Sequence, residues 1–279
     1  MTHSAPLHRI VSFRLVTRDP ERLRRFYVDA VGCWASASAP ISREELALLS
    51  LRRGGQRITL ALGDQRIDLD AFSEPGRPYP NGADAADLIF QHFAIVVSDA
   101  ASAYRRVLDH GAAAISNDGP IQLPAAQGGV IAVKFRDPEG HPLEFLQFPP
   151  GADTLWSREA PRSGGALGID HSAISVADAD ASALFYAAHG LQPGARTLNQ
   201  GETQAALDGL AAPCVDVVPM LPAVAAPHLE LLGYRTPRLG PAPLLYANDI
   251  AATRILWASD RQALIRDPDG HLHQLERQP

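Results

Sequence analysis

The chain is poor in the features that mark secreted, disulfide-bonded and membrane-spanning proteins. Its 279 residues include only two cysteines, Cys33 and Cys214, so neither a disulfide framework nor a cysteine-rich zinc site is expected. No apolar run approaches the ~20 residues of a membrane span. Residues Met1 to Ile10 lack the apolar stretch of a secretory signal. We therefore expect a cytoplasmic protein that has no membrane partner.

The chain also lacks an excess of positive charge. It has 25 Lys and Arg residues against 31 Asp and Glu residues, a net charge of −6 and a pI of about 5.9. This balance disfavours a general role on DNA, RNA or anionic membranes. A hydrophobic share of 46% and a charged share of 20% are ordinary for a globular protein. A small molecule is therefore the expected partner.

What the chain does contain is a repeated pattern, in which an alternating strand ends in Asp and a short helix follows. The pattern occurs at Ile10–Tyr27, His92–Leu108 and His171–Tyr186, and more weakly at Ala242–Leu256. Alternating apolar residues indicate a strand with one buried face. The residues at the position of a helix N-cap are then Asp19, Asp99, Asp178 and Asp249.

Each copy of the pattern also has an ending made of two strands. In the second and fourth copies the turn between these strands reads DPEGH and DPDGH, at residues 137–141 and 267–271. The sequence thus predicts four units, at about 8–75, 88–149, 167–235 and 241–277, of which the fourth is truncated. Residues 1–150 are expected to form one half, 151–168 a linker, and 169–279 the other half.

A βαβββ unit repeated four times, with Phe-Tyr in the first helix and DPxGHxxE closing a unit, resembles the vicinal oxygen chelate superfamily. That superfamily includes glyoxalase I, extradiol dioxygenases and bleomycin-resistance proteins. The resemblance implies an α+β fold in which two units pair and their curved sheets form a cup around a metal ion. It covers nearly the whole chain, and it specifies the fold better than the reaction because one fold hosts many chemistries.

The resemblance also implies where the metal ligands come from. One lies on the first strand of each unit, seven residues before the Asp, and one lies on the last strand. The first-strand positions are Ser12, His92, His171 and Ala242, and the last-strand positions are Asp68, Glu144, Glu230 and Gln274. Only the second and third units carry both His and Glu. A carboxylate on the inner face of an apolar strand is costly unless it is paired or bound to metal.

The pairing of the units decides how many metal sites exist. Pairing one with two and three with four would give two incomplete cups. Crosswise pairing joins unit two with three and unit one with four. It places His92, Glu144, His171 and Glu230 in one cup, and all the ligand positions that carry neither His nor Glu in the other. We favour the crosswise pairing, which is similar to that of fused glyoxalase I chains. In the second cup, Asp68 is expected to be solvated and to bind no metal.

Two imidazoles and two carboxylates suit one divalent transition metal, either Zn, Ni, Co, Fe or Mn. Resemblance to glyoxalase I implies a lyase or isomerase that works through an enediolate, with Glu144 as the base and Glu230 as the alternative. The positions that hold glutathione in glyoxalase I, or that follow its Glu, are occupied here by Ser175, Leu88 and Tyr234. A smaller or more apolar vicinal-oxygen substrate is therefore expected.

Two other functions stay open. An extradiol-type dioxygenase would use Fe or Mn, but such enzymes draw their ligands from the third and fourth units, where this chain has Ala242 and Gln274. A binding protein of the bleomycin-resistance type would sequester its ligand without turnover, and the intact set of four ligands argues against it. Metal analysis and oxygen uptake with catechol-like substrates separate these possibilities. The chain is compatible with a monomer or a homodimer.

Overall fold

A computed structural model of the protein describes residues 5–152, 154–158, 165–224, 226–237, 239–240 and 244–277. Its strands follow the four predicted units. Unit one contributes β1 (Arg9–Val16), β2 (Trp34–Ala35), β3 (Ala39–Pro40), β4 (Gly55–Leu62) and β5 (Gln65–Phe72). Unit two contributes β6 (Gln91–Val97), β7 (Ala113–Ala114), β8 (Ile121–Gln122), β9 (Ile131–Arg136) and β10 (Pro142–Gln147). Unit three contributes β11 (Ala166–Ser175), β12 (Gln192–Pro193), β13 (Thr197–Gln200), β14 (Cys214–Leu221) and β15 (His228–Thr236). Unit four contributes β16 (Arg254–Ser259), β17 (Ala263–Arg266) and β18 (Leu272–Arg277).

A helix follows the first strand of each of the first three units, and units one and three each have a second, short helix before their fourth strand. They are α1 (Pro20–Arg25, continued by a π-helical turn at Phe26–Val31), α2 (Arg43–Leu48), α3 (Ala100–Asp109), α4 (Ala179–Ala188) and α5 (Glu202–Asp208), with short 3-10 turns at Ala125–Gln127 and Leu155–Arg158. The predicted N-caps of α1, α3 and α4 are confirmed, because the carboxylates of Asp19, Asp99 and Asp178 each accept a backbone N–H of the first turn. Across the described ranges, none of the helices has the length and apolar character needed to cross a membrane.

The strands form two open, curved sheets, one from units one and four and the other from units two and three. The first sheet has the order β17-β18-β16-β1-β5-β4-β2, with β3 beside β4. The second has the order β12-β14-β15-β11-β6-β10-β9-β7, with β13 beside β14 and β8 beside β9. The first strands pair antiparallel, β1 with β16 and β6 with β11. The fold is α+β, as predicted, and its units share sheets crosswise.

The two sheets are joined through one core. Phe13 of β1 stacks on Phe93 of β6, with ring centroids 5.1 Å apart, and both belong to the largest cluster of buried apolar side chains. Units one and two, and likewise units three and four, are joined through the Phe-Tyr helix of the first member and the DPxG turn of the second. The hydroxyl–carboxylate pairs are Tyr27–Asp137 at 3.2 Å and Tyr186–Asp267 at 2.9 Å. Helix contacts therefore link the units in sequence, although the sheets link them crosswise.

The fourth unit departs from the prediction. The sequence predicts a first strand from Ala242 and a helix capped by Asp249. Ala242 lies outside the described residues, and Asp249 precedes β16 rather than following it. The helix prediction is wrong because the Asp249 carboxylate accepts hydrogen bonds from Arg77, in the segment between units one and two, and β16 leads directly into β17 through residues 260–262.

As a consequence, Arg254 occupies the first-strand position that the sequence assigned to Ala242. In the β6–β11 pair, the residue opposite His92 lies two places beyond His171. In the β1–β16 pair, the residue opposite Ser12 lies two places beyond Arg254. The same local twofold relation therefore connects the two histidines in one sheet and the serine and the arginine in the other.

Candidate metal centre

Four neighbouring strands of the second sheet, β15, β11, β6 and β10, carry the four predicted ligands. His92 and His171 lie on the antiparallel pair β6 and β11, and Glu144 and Glu230 lie on the parallel strands that flank this pair. Each Glu is beside the residue two places after the His of its own unit. Because alternate residues of a strand share a face, all four side chains belong to one face of the sheet.

The four side chains converge at the middle of this face. His92 Nε2 lies 3.0 Å from Glu144 Oε2, and His171 Nε2 lies 3.6 Å from the same oxygen and 3.6 Å from Glu230 Oε2. The two imidazole centroids are 5.7 Å apart. His92, Glu144 and His171 are buried, whereas the Glu230 side chain is 20% exposed. The structure thus brings together the residues that the sequence selected.

The spacing of these donor atoms fits a divalent cation. Zinc and similar ions bind imidazole nitrogen and carboxylate oxygen at about 2.0–2.2 Å, which places neighbouring ligand atoms about 3.0 Å apart at a right angle and about 3.4 Å apart in a tetrahedron. The three separations of 3.0, 3.6 and 3.6 Å lie close to these values. His92, Glu144 and His171 form a group with metal-binding spacing, whereas Glu230 is outside this group and approaches it through its 3.6 Å contact with His171. Two carboxylates would also balance the charge of a divalent ion.

Two further side chains hold His171 through the ring nitrogen that does not face Glu144. Asp170 Oδ2 lies 3.1 Å from His171 Nδ1, and Trp156 Nε1 donates to Asp170 Oδ1 at 2.9 Å. If a cation takes the place of the proton on Nε2, this carboxylate accepts the remaining Nδ1–H and holds the orientation of the ring. Sequence reasoning missed Asp170, because neighbours in a regular strand point to opposite faces. The register of β11 shifts between Ile169 and His171, and this bulge brings Asp170 beside the imidazole.

His228 also approaches the centre, although the sequence analysis did not select it. Its Nε2 lies 3.4 Å from Glu230 Oε1, and with Asp170 and His171 it forms a second group with metal-binding spacing. The signal was present in the sequence, because residues 228 and 230 share a face of β15. We assign His228 to the surroundings of Glu230, since its nitrogen does not approach the shared oxygen of Glu144.

The pKa values of the two histidines are shifted in opposite directions, down for His92 and up for His171. Burial lowers the pKa of His92 and keeps its ring neutral. Burial also opposes the charged form of His171, but Glu230 and Asp170 outweigh it and raise the pKa of this imidazole well above its usual range. For Glu144, burial is outweighed by hydrogen bonds from both imidazoles, which lower the pKa of its carboxyl. A carboxylate is therefore maintained at the middle of the site.

A cavity of about 370 Å³ opens beside the four side chains. Its apolar lining comprises Leu123, Val130, Leu146, Phe148, Leu207, Val217 and Leu232. Its polar lining includes Lys134, Gln204 and Tyr234, of which sequence reasoning had marked only the tyrosine position. Among the described residues that line it there is no arginine, and neither Ser175 nor Leu88 is part of the wall. The cavity therefore suits a small ligand and offers no guanidinium clamp for carboxylates.

The corresponding place in the other sheet is filled by ion pairs. We call these six residues the arginine cluster: Arg14, Arg57, Arg254, Glu45, Asp68 and Asp70. The predicted non-ligands join it, since Ser12 Oγ donates to Asp68 at 2.8 Å and Gln274 Nε2 donates to Glu45 at 3.0 Å. The expectation that Asp68 is solvated is wrong, because the side chain is fully buried against guanidinium groups. Within the described ranges, none of the groups with metal-binding spacing lies in this cluster.

Comparison with known proteins agrees with this architecture. Residues 9–145 match the family model described as Glyoxalase/Bleomycin resistance protein/Dioxygenase superfamily. No curated protein matches the chain in sequence. Glyoxalase I from Zea mays superposes with a TM-score of 0.60 at 16% identity, over 96% of this chain and 91% of that chain. A putative dioxygenase from Bacillus subtilis also gives 0.60, at 13% identity, over 99% and 87%. At these identities the likeness establishes the fold alone.

Proposed function

We propose that the protein, whose residues 9–145 match the model of the glyoxalase/bleomycin resistance protein/dioxygenase superfamily, is a divalent-metal-dependent lyase or isomerase. Its substrate would be a small molecule with two adjacent oxygens. The observation that carries the proposal is the convergence of four side chains beside a mostly apolar cavity: His92, Glu144, His171 and Glu230, each within 3.0–3.6 Å of a neighbour. One site per chain follows, since the arginine cluster fills the other cup.

The proposed ligands are His92, Glu144, His171 and Glu230. A cation held there would act as a Lewis acid that stabilises negative charge on the substrate oxygens. Asp170 orients His171, and burial keeps His92 neutral and able to offer a lone pair. The apolar side chains of the cavity lower the polarity around these groups, which strengthens the charge interactions among them.

Proton transfer is assigned to the carboxylates. We propose that Glu144 takes a proton from the carbon next to a substrate carbonyl, and that Glu230 is the alternative base. Glu144 is ionised and lies between the two imidazoles. Glu230 is more exposed to the cavity and is contacted by His171 and His228. Because the two carboxylates have different surroundings, replacing one or the other is expected to have different effects on proton transfer.

Elemental analysis of protein purified without added metal tests the proposed centre. About one metal ion per chain is expected, with four protein ligands. His171→Ala should lose this metal and keep its circular dichroism spectrum. His110→Ala is the matched control, because this histidine is exposed at the end of α3 and its ring contacts the Arg106 backbone oxygen. Full metal content in His171→Ala, or two ions per chain in the unaltered protein, would contradict the proposed site.

Deuterium exchange tests the chemistry. A panel of 2-oxoaldehydes and 2-hydroxyketones is incubated with the metal-loaded protein in deuterated water, and exchange of the proton beside the carbonyl is followed by NMR. Glu144→Gln should abolish exchange, while Glu230→Gln should reduce it less if Glu144 is the base. The opposite order assigns the base to Glu230. Oxygen uptake with catechols and no exchange would instead identify a dioxygenase.

A further inference from the structure

A polar cluster that the proposed chemistry does not use lies at one wall of the cavity. We call it the Asp208 cluster, and its members are Lys134, Gln204, Asp208 and Tyr234. Lys134 Nζ donates to Asp208 Oδ1 at 2.7 Å, whereas Gln204 Nε2 and the Tyr234 hydroxyl donate to Oδ2 at 2.7 and 2.9 Å. All four residues are buried, with at most 6% of any of them exposed. Their arrangement is therefore set by the fold and not by solvent.

The cluster faces the same cavity as the candidate metal centre. Lys134 lies directly opposite Glu144 in the β9–β10 pair, and Tyr234 lies four residues after Glu230 on β15. Gln204 and Asp208 are one turn apart on α5, which packs against β9 and β13. A ligand that reached the four metal-binding side chains would therefore have its other end near this cluster.

The cluster contains an acceptor without a donor. Gln204 is 4% exposed and its Nε2 is committed to Asp208, so the orientation of its amide is fixed. Within the described residues, no donor reaches its Oε1, and the same holds for Gln127 Oε1 and Asn199 Oδ1, which belong to two other residues of the cavity lining. Buried acceptors without partners are rare in native proteins and call for an explanation. A ligand that donates hydrogen bonds to these oxygens would explain why the fold leaves them without a donor.

The charges of the wall define the ligand further. Burial opposes the charge of Lys134, but Asp208 and Glu144 outweigh it and raise its pKa, so the ammonium and the Asp208 carboxylate neutralise each other. A ligand carboxylate would meet no uncompensated positive charge at this wall, because Lys134 is paired with Asp208, and it would lose its hydration on entering. A hydroxyl group can donate to Gln204 Oε1 and accept one of the remaining N–H groups of Lys134.

We infer that the Asp208 cluster is a specificity subsite that binds a neutral, hydroxyl-bearing end of the substrate. This inference rests on the proposed function, in which the vicinal oxygens occupy the metal centre. It makes Gln204 a residue that selects substrates by a hydrogen bond, while Lys134, Asp208 and Tyr234 hold its amide in place or complete the pairing of the hydroxyl. It also accounts for the absence of an arginine clamp from the described lining, because a neutral ligand needs none.

Three catechols with the same vicinal-oxygen head and different tails test the inference. They are 4-ethylcatechol, 4-(2-hydroxyethyl)catechol and 3,4-dihydroxyphenylacetate, and each is titrated calorimetrically into metal-loaded protein without oxygen. The hydroxyl tail should bind about fivefold more tightly than the methyl tail, which is the value of one added neutral hydrogen bond. The carboxylate tail should bind more weakly than both. Gln204→Leu should reduce the ratio between the first two dissociation constants to about one.

Gln274→Leu is the matched control. Gln274 is also buried, its Nε2 also donates to a carboxylate, and its Oε1 also lacks a described donor, but it belongs to the other cup. This variant should keep the fivefold preference. Lys134→Met is a poorer probe, since it would leave Asp208 buried without its cation.

The outcomes separate the subsite from the proposed function. Metal-dependent binding of 4-ethylcatechol with no difference between the tails would overturn the subsite and leave the metal centre standing. Tighter binding of the carboxylate tail would overturn it as well. Absence of both metal and catechol binding would overturn the proposed function together with the inference. Loss of the preference in Gln274→Leu as well as Gln204→Leu would show that it arises from general loosening of the fold and not from the subsite.

Discussion

Arg254→Met is expected to lower the free energy of unfolding by about 3 kcal/mol, because it removes one cation from a buried cluster of balanced charge. The Arg254 side chain is fully buried. Its Nη1 donates to the backbone oxygen of Ala247 at 2.7 Å, and its Nη2 binds the carboxylate of Asp70. Methionine fills a similar volume without charge, so the loss is mainly electrostatic.

The magnitude follows from what Asp70 retains. Removing one partner of a buried ion pair costs about 3–5 kcal/mol when the other charge is left without compensation. Asp70 keeps two hydrogen bonds from Arg57, at 2.6 and 2.8 Å, so the lower end of this range applies. In a chain of this size, ~3 kcal/mol corresponds to a decrease of about 6–12 °C in melting temperature.

Urea unfolding followed by circular dichroism measures this loss. Arg266→Met is the matched control, because Arg266 donates to two backbone oxygens, those of Gly270 and Leu245, but is exposed. Its replacement is expected to cost less than about 0.5 kcal/mol. Metal content should be the same in both variants and in the unaltered protein. A loss for Arg254→Met no larger than that of the control would refute the view that the arginine cluster holds its charges in mutual balance.

Three further predictions concern other parts of the molecule. Asp170→Asn should weaken metal binding about 10–100-fold by loosening the orientation of His171, and competition with a chelating dye measures this; an unchanged affinity would contradict the assigned role. Burial disfavours the Glu45 carboxylate, but the guanidinium groups around it outweigh burial and lower its pKa from 4.5 to about 2. Its stabilisation is therefore complete above pH 4.5 and lost as the pH falls towards 2, so urea unfolding of Glu45→Gln should show a smaller decline over this window than the unaltered protein. Gly209→Ala should destabilise the protein by at least about 1 kcal/mol in the same assay, because the backbone has a positive φ of 65° and a Cβ would lie 2.4 Å from the Ile115 oxygen; a neutral effect would show that the end of α5 is not constrained there.

Several features of the fold were readable from short stretches of sequence because their causes are local. The helix N-caps at Asp19, Asp99 and Asp178 depend on a carboxylate and backbone groups within three residues of it. Alternation within a strand fixes which residues of β6 share a face with His92 and which of β10 share a face with Glu144, although the register between the two strands decides that the faces coincide. The prediction for unit four failed at Asp249 for a related reason, since the same residue type that caps a helix also accepts hydrogen bonds from a distant arginine.

The candidate site likewise contains residues that were predictable from the sequence and residues that were not. The types and spacing of its four central residues were sufficient to select them, because His and Glu recurred at equivalent places in two units. Asp170 could not be selected, since only the bulge in β11 turns it towards His171. Lys134 and Asp208 are 74 residues apart in the chain, and the packing of α5 against β9 alone brings them together.

Sequence by itself was therefore sufficient to predict the repeated unit, the alternation of its strands and the four candidate ligands, because each of these depends on backbone periodicity and on residue types that recur at equivalent places. Only the tertiary structure decided that Arg254 enters the second cup, that Asp170 supports the first and that an unpaired amide oxygen lies in its wall. Those outcomes arise from long-range packing, which brings together polar and charged groups from distant parts of the chain in a way that local sequence does not specify.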